Sequence, residues 1–368
     1  MKIFGVFRGF PGLGRVVSGI EIMRKFRDEY DCEIILYTYM QGIGIAKDNG
    51  FDSVLSNEQI ESETITSIGI NPVSNLGAKL LMKIIDEKPD LVVIDGEPLL
   101  IHALSLSFQK EKILSLLNPY DVENPFLPIS STNYFKNCYM SAGTVVVHGL
   151  WNIQKPIDYR GDYYSIGTIL RNNIINMKVD SNKNKDIICI LGGGTQNSSH
   201  GFYKSTIQIG RKMIEIAENM PNKIVRIYTN DEKITNDLLK MSSLSNVRIY
   251  SDFVTPEEMY SNASMVICRA GRNSTSELLY LGIPAILIAT GNDFRAKEQE
   301  ANIEKICEMS CGQIHKLLYS DNVKKFMDKI LIMESNGEFS NVFEPGNKAL
   351  LNILKDKMGL QKHPRASL

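Results

Sequence analysis

The segment from Ser264 to Asn302 constrains the fold of this chain more than any other stretch. A short apolar run at Met265–Cys268 is followed by a glycine turn and a helical pattern that stops at Gly282, and a second apolar run spans Ala285–Ala289. This order predicts one βαβ unit. Because such crossovers are right-handed, both turns are expected at the carboxyl edge of a parallel sheet, where open α/β sheets bind ligands.

The polar residues of the first turn suit an anionic ligand. Backbone N–H groups of residues 271–274 are expected at a helix N-terminus, which attracts anions. Ser274, Thr275 and Ser276 are expected to cap this helix. Glu277 follows one turn later and could accept hydrogen bonds from both hydroxyls of a vicinal diol. The candidate ligand-binding residues at this turn are Arg269, Gly271, Arg272, Asn273, Ser274 and Glu277.

The helix after the second strand carries Glu298, Gln299 and Asn302 on one face, beside the same predicted edge. The alternative is a βαβ crossover with a capped helix and no ligand. That alternative does not account for the positions of the glutamates and the glutamine.

A second glycine turn follows an apolar strand predicted from Asp186 to Leu191. Gly193, Gly194 and Thr195 lie in this turn, which leads into a helix expected from about Tyr203. Such a turn is typical of a phosphate cradle, although a tight strand–helix connection would have the same composition.

Length and composition limit the function classes. A chain of 368 residues predicts two domains of about 170–190 residues. The net charge of −1 argues against nucleic-acid binding as the main activity. Six scattered cysteines form no C-x-x-C pair, which favours a reducing, cytoplasmic compartment. No apolar run reaches about 18 residues, so no transmembrane segment is expected.

The segment from Ser264 to Asn302 resembles the donor-binding half of family 28 glycosyltransferases. The shared pattern is C-R-[SA]-G, S-T-S-E, G-[IL]-P-A and a glutamine with an asparagine three residues on, here at residues 268–271, 274–277 and 282–285 and at Gln299 and Asn302. The resemblance implies an α/β GT-B fold, with two Rossmann-like domains and a cleft between them. It also implies that Glu277 holds the nucleotide ribose and that Glu298 and Gln299 face the donor sugar.

Two further passages carry the resemblance. Residues 253–259 resemble the loop of these enzymes that closes on the base, which implies that Phe253 stacks and that the backbone of Val254 pairs with the base edge. The glycine turn at 192–196 matches their diphosphate loop, with Thr195 as the contacting hydroxyl.

The first half opens with a strand predicted at Lys2–Arg8, a glycine loop and a helix, which is Rossmann-like without the dinucleotide fingerprint. Gly14 and Arg15 begin the helix. Relatives usually carry a histidine where this chain has Arg15. Because a guanidinium cannot act as a base at neutral pH, we expect Arg15 either to bind a phosphate or carboxylate of donor or acceptor, or to be solvated.

Three residues of the first half are candidates for catalysis. Asp95 and Glu97 end a predicted strand and suit a general base for an acceptor hydroxyl, but either carboxylate could instead cap or orient the helix that follows. His148 ends a later strand and is either the catalytic imidazole or a structural residue.

These patterns predict a domain at 1–171, a polar linker at 172–185, a donor domain at 186–342, and a final helix and tail at 343–368. The resemblance implies that this last helix returns toward the first domain. The predicted activity is metal-independent, inverting transfer of a sugar, most simply from a UDP-sugar, to an unidentified acceptor, with no cofactor. A hydrolase of the same fold and a non-catalytic nucleotide-sugar-binding protein are the alternatives. The oligomeric state is left open.

Overall fold

The structure, a computed structural model, describes residues 1–9, 13–39, 42–51, 80–178, 186–191, 200–229, 231–251, 254–289, 293–335, 339 and 343–360. Within the helices, this description leaves out the side chains of residues 200–202, 293–296 and 298. The chain divides into two compact units. The first comprises Met1–Arg171 with Pro345–Leu368, and the second comprises Asn172–Glu344.

The first domain is built on a six-stranded sheet in the order β2-β1-β3-β4-β5-β6, in which every pairing is parallel. Its strands are β1 Lys2–Phe7, β2 Glu33–Tyr37, β3 Leu91–Asp95, β4 Ile113–Leu117, β5 Thr144–Gly149 and β6 Asp162–Gly167. Its helices before the second domain are α1 Gly14–Glu29, α2 Gly42–Asp48, α3 Pro98–Ser107, α4 Pro119–Val122 and α5 Ile129–Tyr139. Residues 80–87 are also helical.

The strands of this sheet are apolar on both faces because helices cover both faces. Side chains alternate along β3, so Val93 packs into one apolar cluster while Val92 and Ile94 pack into another. Helix α1 contributes to the first cluster and α3 to the second. The sheet is therefore the middle layer of a three-layer domain, as expected for a Rossmann-like half.

The second domain repeats this design with a six-stranded parallel sheet in the order β12-β11-β10-β7-β8-β9. Its strands are β7 Asp186–Ile190, β8 Val225–Tyr228, β9 Val247–Tyr250, β10 Ala263–Arg269, β11 Ala285–Ala289 and β12 Ile314–Leu318. Its helices are α6 Asn172–Asn176, α7 His200–Asn219, α8 Glu232–Leu239, α9 Pro256–Tyr260, α10 Arg272–Leu281, α11 Asp293–Met309 and α12 Val323–Ser335.

The expected linker at 172–185 is wrong at its start, because α6 is a helix of the second domain. Ile174 is fully buried. The Asn173 amide donates to Glu257 Oε2 at 2.8 Å, and the Tyr280 hydroxyl donates to the carbonyl of Ile175 at 3.1 Å. The apolar pair at 174–175 within a polar sequence explains the difference, since burying it stabilises the segment against the domain.

The last helix, α13 Asn347–Lys357, packs in the first domain against α1 and β6. Asn347 fixes its start, because its side chain accepts from the N–H of Leu170 at 2.8 Å and donates to the carbonyl of the same residue at 2.7 Å. Among the residues that the structure describes, no helix has the length and apolar character needed to cross a membrane.

Replacing Asn347 with alanine should lower the free energy of unfolding by about 2 kcal/mol, because both buried backbone groups of Leu170 would lose their partner. Denaturant unfolding would measure the loss. Asn352→Ala is the matched control, since Asn352 lies exposed on the same helix. Equal stability of the two variants would contradict this role of Asn347.

Candidate functional site

The βαβ unit predicted from the sequence is confirmed in the second domain. Strand β10 pairs with β11 in parallel, and Arg269 lies level with Ile288. Gly282 ends α10 in the left-handed conformation, with a φ of 69°, as a C-terminal glycine is expected to do. The turn before α10 therefore lies at the carboxyl edge of the sheet, as expected. The turn at Gly282 leads into the start of β11 and lies at the opposite edge, so the expectation that both turns share the carboxyl edge is wrong.

The expected capping by Ser274, Thr275 and Ser276 is wrong. Helix α10 begins at Arg272 with Gly271 as its N-cap, and no side chain makes a capping hydrogen bond. The Ser276 hydroxyl instead donates to the carbonyl of Arg272 at 2.8 Å. Because the helix starts earlier than expected, the hydroxyl residues lie inside its first turns rather than at its cap.

Glu277 is fixed inside the second domain. Its side chain is buried, and Oε2 accepts a hydrogen bond from the Tyr260 hydroxyl at 3.2 Å. Tyr260 is itself buried at the end of α9. A buried carboxylate is costly unless hydrogen bonds satisfy it, so the position of Glu277 is specified by its polar partners rather than by solvent.

The residues around the turn leave room for a ligand. Gly271 is exposed, and a Cβ added there would meet no atom within 4 Å. The Arg269 guanidinium donates to the Thr206 hydroxyl of α7, and burial lowers the pKa of Arg269 to about 9. Arg272 donates from Nε to Asn273 Oδ1 at 3.3 Å. The open space thus adjoins the N-terminus of α10 and a desolvated cation.

Several predicted donor residues cannot be placed. Gly193, Gly194, Thr195 and Phe253 lie outside the described residues, as does the side chain of Glu298. Three others are described: half-buried Val254 just before α9, and Gln299 and Asn302 on α11. Asn302 Oδ1 is buried and has no hydrogen-bond partner among the described residues.

The first domain gathers charged residues at the carboxyl edge of its own sheet. The strand register places Phe7 level with Asp95, Asp95 level with Leu116, and Leu117 level with Val147. The residues that follow these strand ends therefore share one edge. They include Arg8, Asp95, Glu97, Asn118, Asp121 and His148.

Arg15 is the centre of this group. Its Nη1 donates to Asp95 Oδ1, and its Nη2 donates to both oxygens of Asp121, at 2.9 and 2.8 Å. Burial lowers the pKa of Arg15, but Asp121 and Asp95 outweigh that effect and hold the pKa well above its ordinary value. The guanidinium is therefore a permanent cation between two carboxylates, and it is not solvated as one alternative expected.

Gly96 makes this ion pair possible. Its φ is +94°, and a Cβ there would lie 2.6 Å from Arg8 Cβ and 2.8 Å from Arg15 Cδ. Any side chain at this position would push the two arginines away from the end of β3.

Asp95 also faces His148. The distance from His148 Nε2 to Asp95 Oδ2 is 3.5 Å, and both side chains are 0% exposed. Asp95 is thus held by a guanidinium on one oxygen and adjoins an imidazole on the other. This arrangement orients the histidine ring.

Glu97 has a different environment from Asp95. It is the N-cap residue of α3, yet its side chain makes no capping hydrogen bond, and Oε1 instead accepts from the Tyr39 hydroxyl at 2.6 Å. Burial raises the pKa of Glu97 above its ordinary value of 4.5, although the charge of Arg8 and the Tyr39 hydrogen bond oppose the shift. Glu97 therefore binds a proton more readily than an ordinary glutamate does.

Sequence reasoning missed Asp121, Tyr39 and Tyr260. Asp121 had a usable signal, because Asn118, Pro119 and Asp121 follow an apolar strand in the spacing of a capping box, and the structure contains that box. Tyr39 and Tyr260 had none, since each meets its glutamate only through the tertiary fold.

The model of the glycosyltransferase family 28 C-terminal domain matches residues 187–353. A curated relative from Rickettsia bellii (strain RML369-C), named UDP-N-acetylglucosamine--N-acetylmuramyl-(pentapeptide) pyrophosphoryl-undecaprenol N-acetylglucosamine transferase, is 23% identical over 335 residues. The match covers 82% of this chain and 90% of that protein.

Solved structures share the whole fold at low identity. MurG of Acinetobacter baumannii has a TM-score of 0.59 with 13% identity, over 96% of this chain and 99% of that chain. MnaA of S. aureus, in a structure with UDP, has a TM-score of 0.64 with 12% identity, over 100% and 99%. These structures show that the chain has the predicted GT-B fold. The family model and the curated relative identify it as a family 28-like glycosyltransferase.

Replacing Arg15 with methionine should destabilise the first domain by about 3 kcal/mol, because Asp95 would remain buried without its counter-charge. Thermal or denaturant unfolding would measure the effect. Arg24→Met is the matched control, because the Arg24–Glu21 pair is more exposed and should contribute less than about 1 kcal/mol. If Arg15→Met were as mild as the control, the ion pair would not organise this edge.

Proposed function

We propose that this chain transfers a sugar from a UDP-sugar to the hydroxyl of an acceptor, with inversion at the sugar carbon and without a metal ion. The coarse activity follows from the family. The nucleotide is supported by the relatives, since the Rickettsia enzyme is named for transfer from UDP-N-acetylglucosamine and the MnaA structure contains UDP.

The turn between β10 and α10 carries this proposal. It combines open space at Gly271, the N-terminus of α10, and a fixed carboxylate one turn further on. A nucleoside diphosphate needs these features, because its phosphates are anionic and its ribose carries a vicinal diol. Glu277 is the ribose residue in this proposal, and Arg269 with the turn amides faces the diphosphate.

Metal independence is supported by the sequence, which contains no D-x-D run suited to a divalent cation. Charge on the departing diphosphate would be stabilised by backbone N–H groups and the helix N-terminus instead. Activity that is unchanged by EDTA would agree with this part of the proposal.

The chemical step is one displacement. The acceptor oxygen forms a bond to the anomeric carbon, the bond from that carbon to the diphosphate breaks with its electron pair, and UDP leaves. A single displacement inverts the carbon and needs one base to take the hydroxyl proton. Among the three sequence candidates, Glu97 suits this role best, because Asp95 is engaged by Arg15 and His148 adjoins Asp95. Asp95 and His148 are then positioning residues.

Titration of the protein with UDP in a calorimeter tests the donor site first. UDP should bind, and Gly271→Ala should weaken it at least several-fold, because the new methyl group would occupy the space proposed for the phosphates. Glu277→Ala should cost roughly 1–3 kcal/mol of binding if it removes a charged hydrogen bond to the ribose.

Gly44→Ala is the matched control for Gly271→Ala. A Cβ at either glycine meets no atom within 4 Å, but Gly44 lies on α2 in the first domain. Equal UDP affinity in the Gly271→Ala, Gly44→Ala and unmodified proteins would exclude the β10–α10 turn as the phosphate site.

The pH dependence of turnover tests Glu97. A base acts when deprotonated, so kcat should rise with pH through the pKa of Glu97, and this acid limb should lie above 4.5 because burial raises that pKa. Glu97→Gln should remove the limb and lower kcat by about 10²–10⁴-fold. Tyr39→Phe should move the limb to higher pH, because the hydrogen bond that it removes lowers the pKa of Glu97.

Tyr37→Phe is the control for Tyr39→Phe, since Tyr37 ends β2 two residues earlier and its ring packs against Phe4. It should leave the acid limb in place. An acid limb that survives in Glu97→Gln would assign the base to another group. UDP release that needs no added acceptor would favour the hydrolase alternative.

A further inference from the structure

Two loops at the carboxyl edge of the first sheet meet beside the charged group. Pro119 and Tyr120 follow β4, and Gly149 ends β5 shortly before Trp151. The loops are in close contact, because a Cβ at Gly149 would lie 2.5 Å from Pro119 Cγ. This contact brings aromatic residues from both loops to the same place.

The rings of Tyr120, Phe126 and Trp151 form one cluster, which we call the aromatic platform. The Tyr120 centroid lies 6.0 Å from that of Trp151, with an interplanar angle of 78°, and 6.1 Å from that of Phe126, with an angle of 64°. All three residues are half-buried. The edge-to-face geometry holds the rings in place while part of their surface faces solvent.

A fixed carboxylate adjoins this platform. Asp121 follows Tyr120 directly, and its Oδ2 accepts from the N–H of Asn118 at 2.8 Å as well as from Arg15. A carboxylate has about four acceptor positions on its two oxygens, and Arg15 and Asn118 use three of those of Asp121, so Oδ1 can accept one further hydrogen bond from a ligand. Apolar ring surface and an oriented acceptor therefore occur together.

We propose that the aromatic platform and Asp121 bind a hexopyranose ring of the acceptor. A pyranose presents an apolar face of C–H groups, which suits an aromatic surface, and a rim of hydroxyls, which suits a carboxylate. This inference rests on the proposed function for the existence of an acceptor. A purely apolar ligand would gain nothing from Asp121, and a polyanion would be repelled by it.

Trp151 makes the proposal directly measurable. It is the only tryptophan of the chain, so tryptophan emission reports on the platform itself. The probes are methyl β-D-glucopyranoside and its N-acetylglucosamine counterpart, added without nucleotide. Sorbitol is the control for hydroxyls without a ring, and hexanol is the control for an apolar ligand.

At least one pyranoside should change the emission saturably, whereas sorbitol should not. Tyr120→Leu should weaken that binding by roughly threefold to tenfold, which is the range for loss of one aromatic contact. Asp121→Asn should also weaken it. The control Tyr164→Leu changes a tyrosine on the edge strand β6 and should leave the affinity unchanged.

No saturable response to either pyranoside would overturn the proposal, as would a response to hexanol alone. A response to UDP-N-acetylglucosamine without any response to the free glycosides would assign the ring to the donor and also overturn it. Calorimetry with UDP separates this test from the proposed function, because UDP binding depends on the second domain and pyranoside binding on the first.

Discussion

The ion pair between Arg15 and two aspartates is the constraint on which the first domain's edge depends. One guanidinium, 16% exposed, joins the start of α1 to the ends of β3 and β4 through Asp95 and Asp121. Such a group costs desolvation energy that only well-placed counter-charges offset, so it fixes the relative positions of the three elements. The turn at Gly96 and the orientation of His148 follow from it.

This ion pair also separates the roles of two carboxylates that look alike in the sequence. Asp95 and Glu97 lie two positions apart, and both follow an apolar strand. In the fold, Asp95 pairs with the guanidinium of Arg15. Glu97 is buried and accepts a hydrogen bond from the Tyr39 hydroxyl, and burial raises the pKa of Glu97. Because Asp95 is engaged by a cation and the pKa of Glu97 is raised, Glu97 is the better candidate for accepting a proton.

Periodicity and glycine turns were sufficient to predict the two Rossmann-like domains and the β10–α10–β11 unit, because strand, turn and helix signals are local. The side-chain partners were not predictable, because they are distant in sequence: Asp121 is 106 positions from Arg15, and Glu97 is 58 from Tyr39. The start of α10 was misjudged for a local reason. Serine and threonine favour N-cap positions, but the N-cap is Gly271, in extended conformation, three residues before the first of these hydroxyl residues. Likewise, the burial of Ile174 stabilises a helix in a segment whose polar neighbours had predicted a linker.

Each domain therefore uses the carboxyl edge of its own sheet, but the two edges differ in charge. In the second domain, the edge offers open space at a glycine, the N-terminus of a helix and a buried arginine, which together favour an anion. In the first domain, the edge is already neutralised internally by Arg15, so an added phosphate would have to compete with two carboxylates for that cation. Because Arg15 is bound to Asp95 and Asp121, the proposed reaction assigns the neutral, hydroxyl-bearing acceptor to the first domain and the diphosphate to the second.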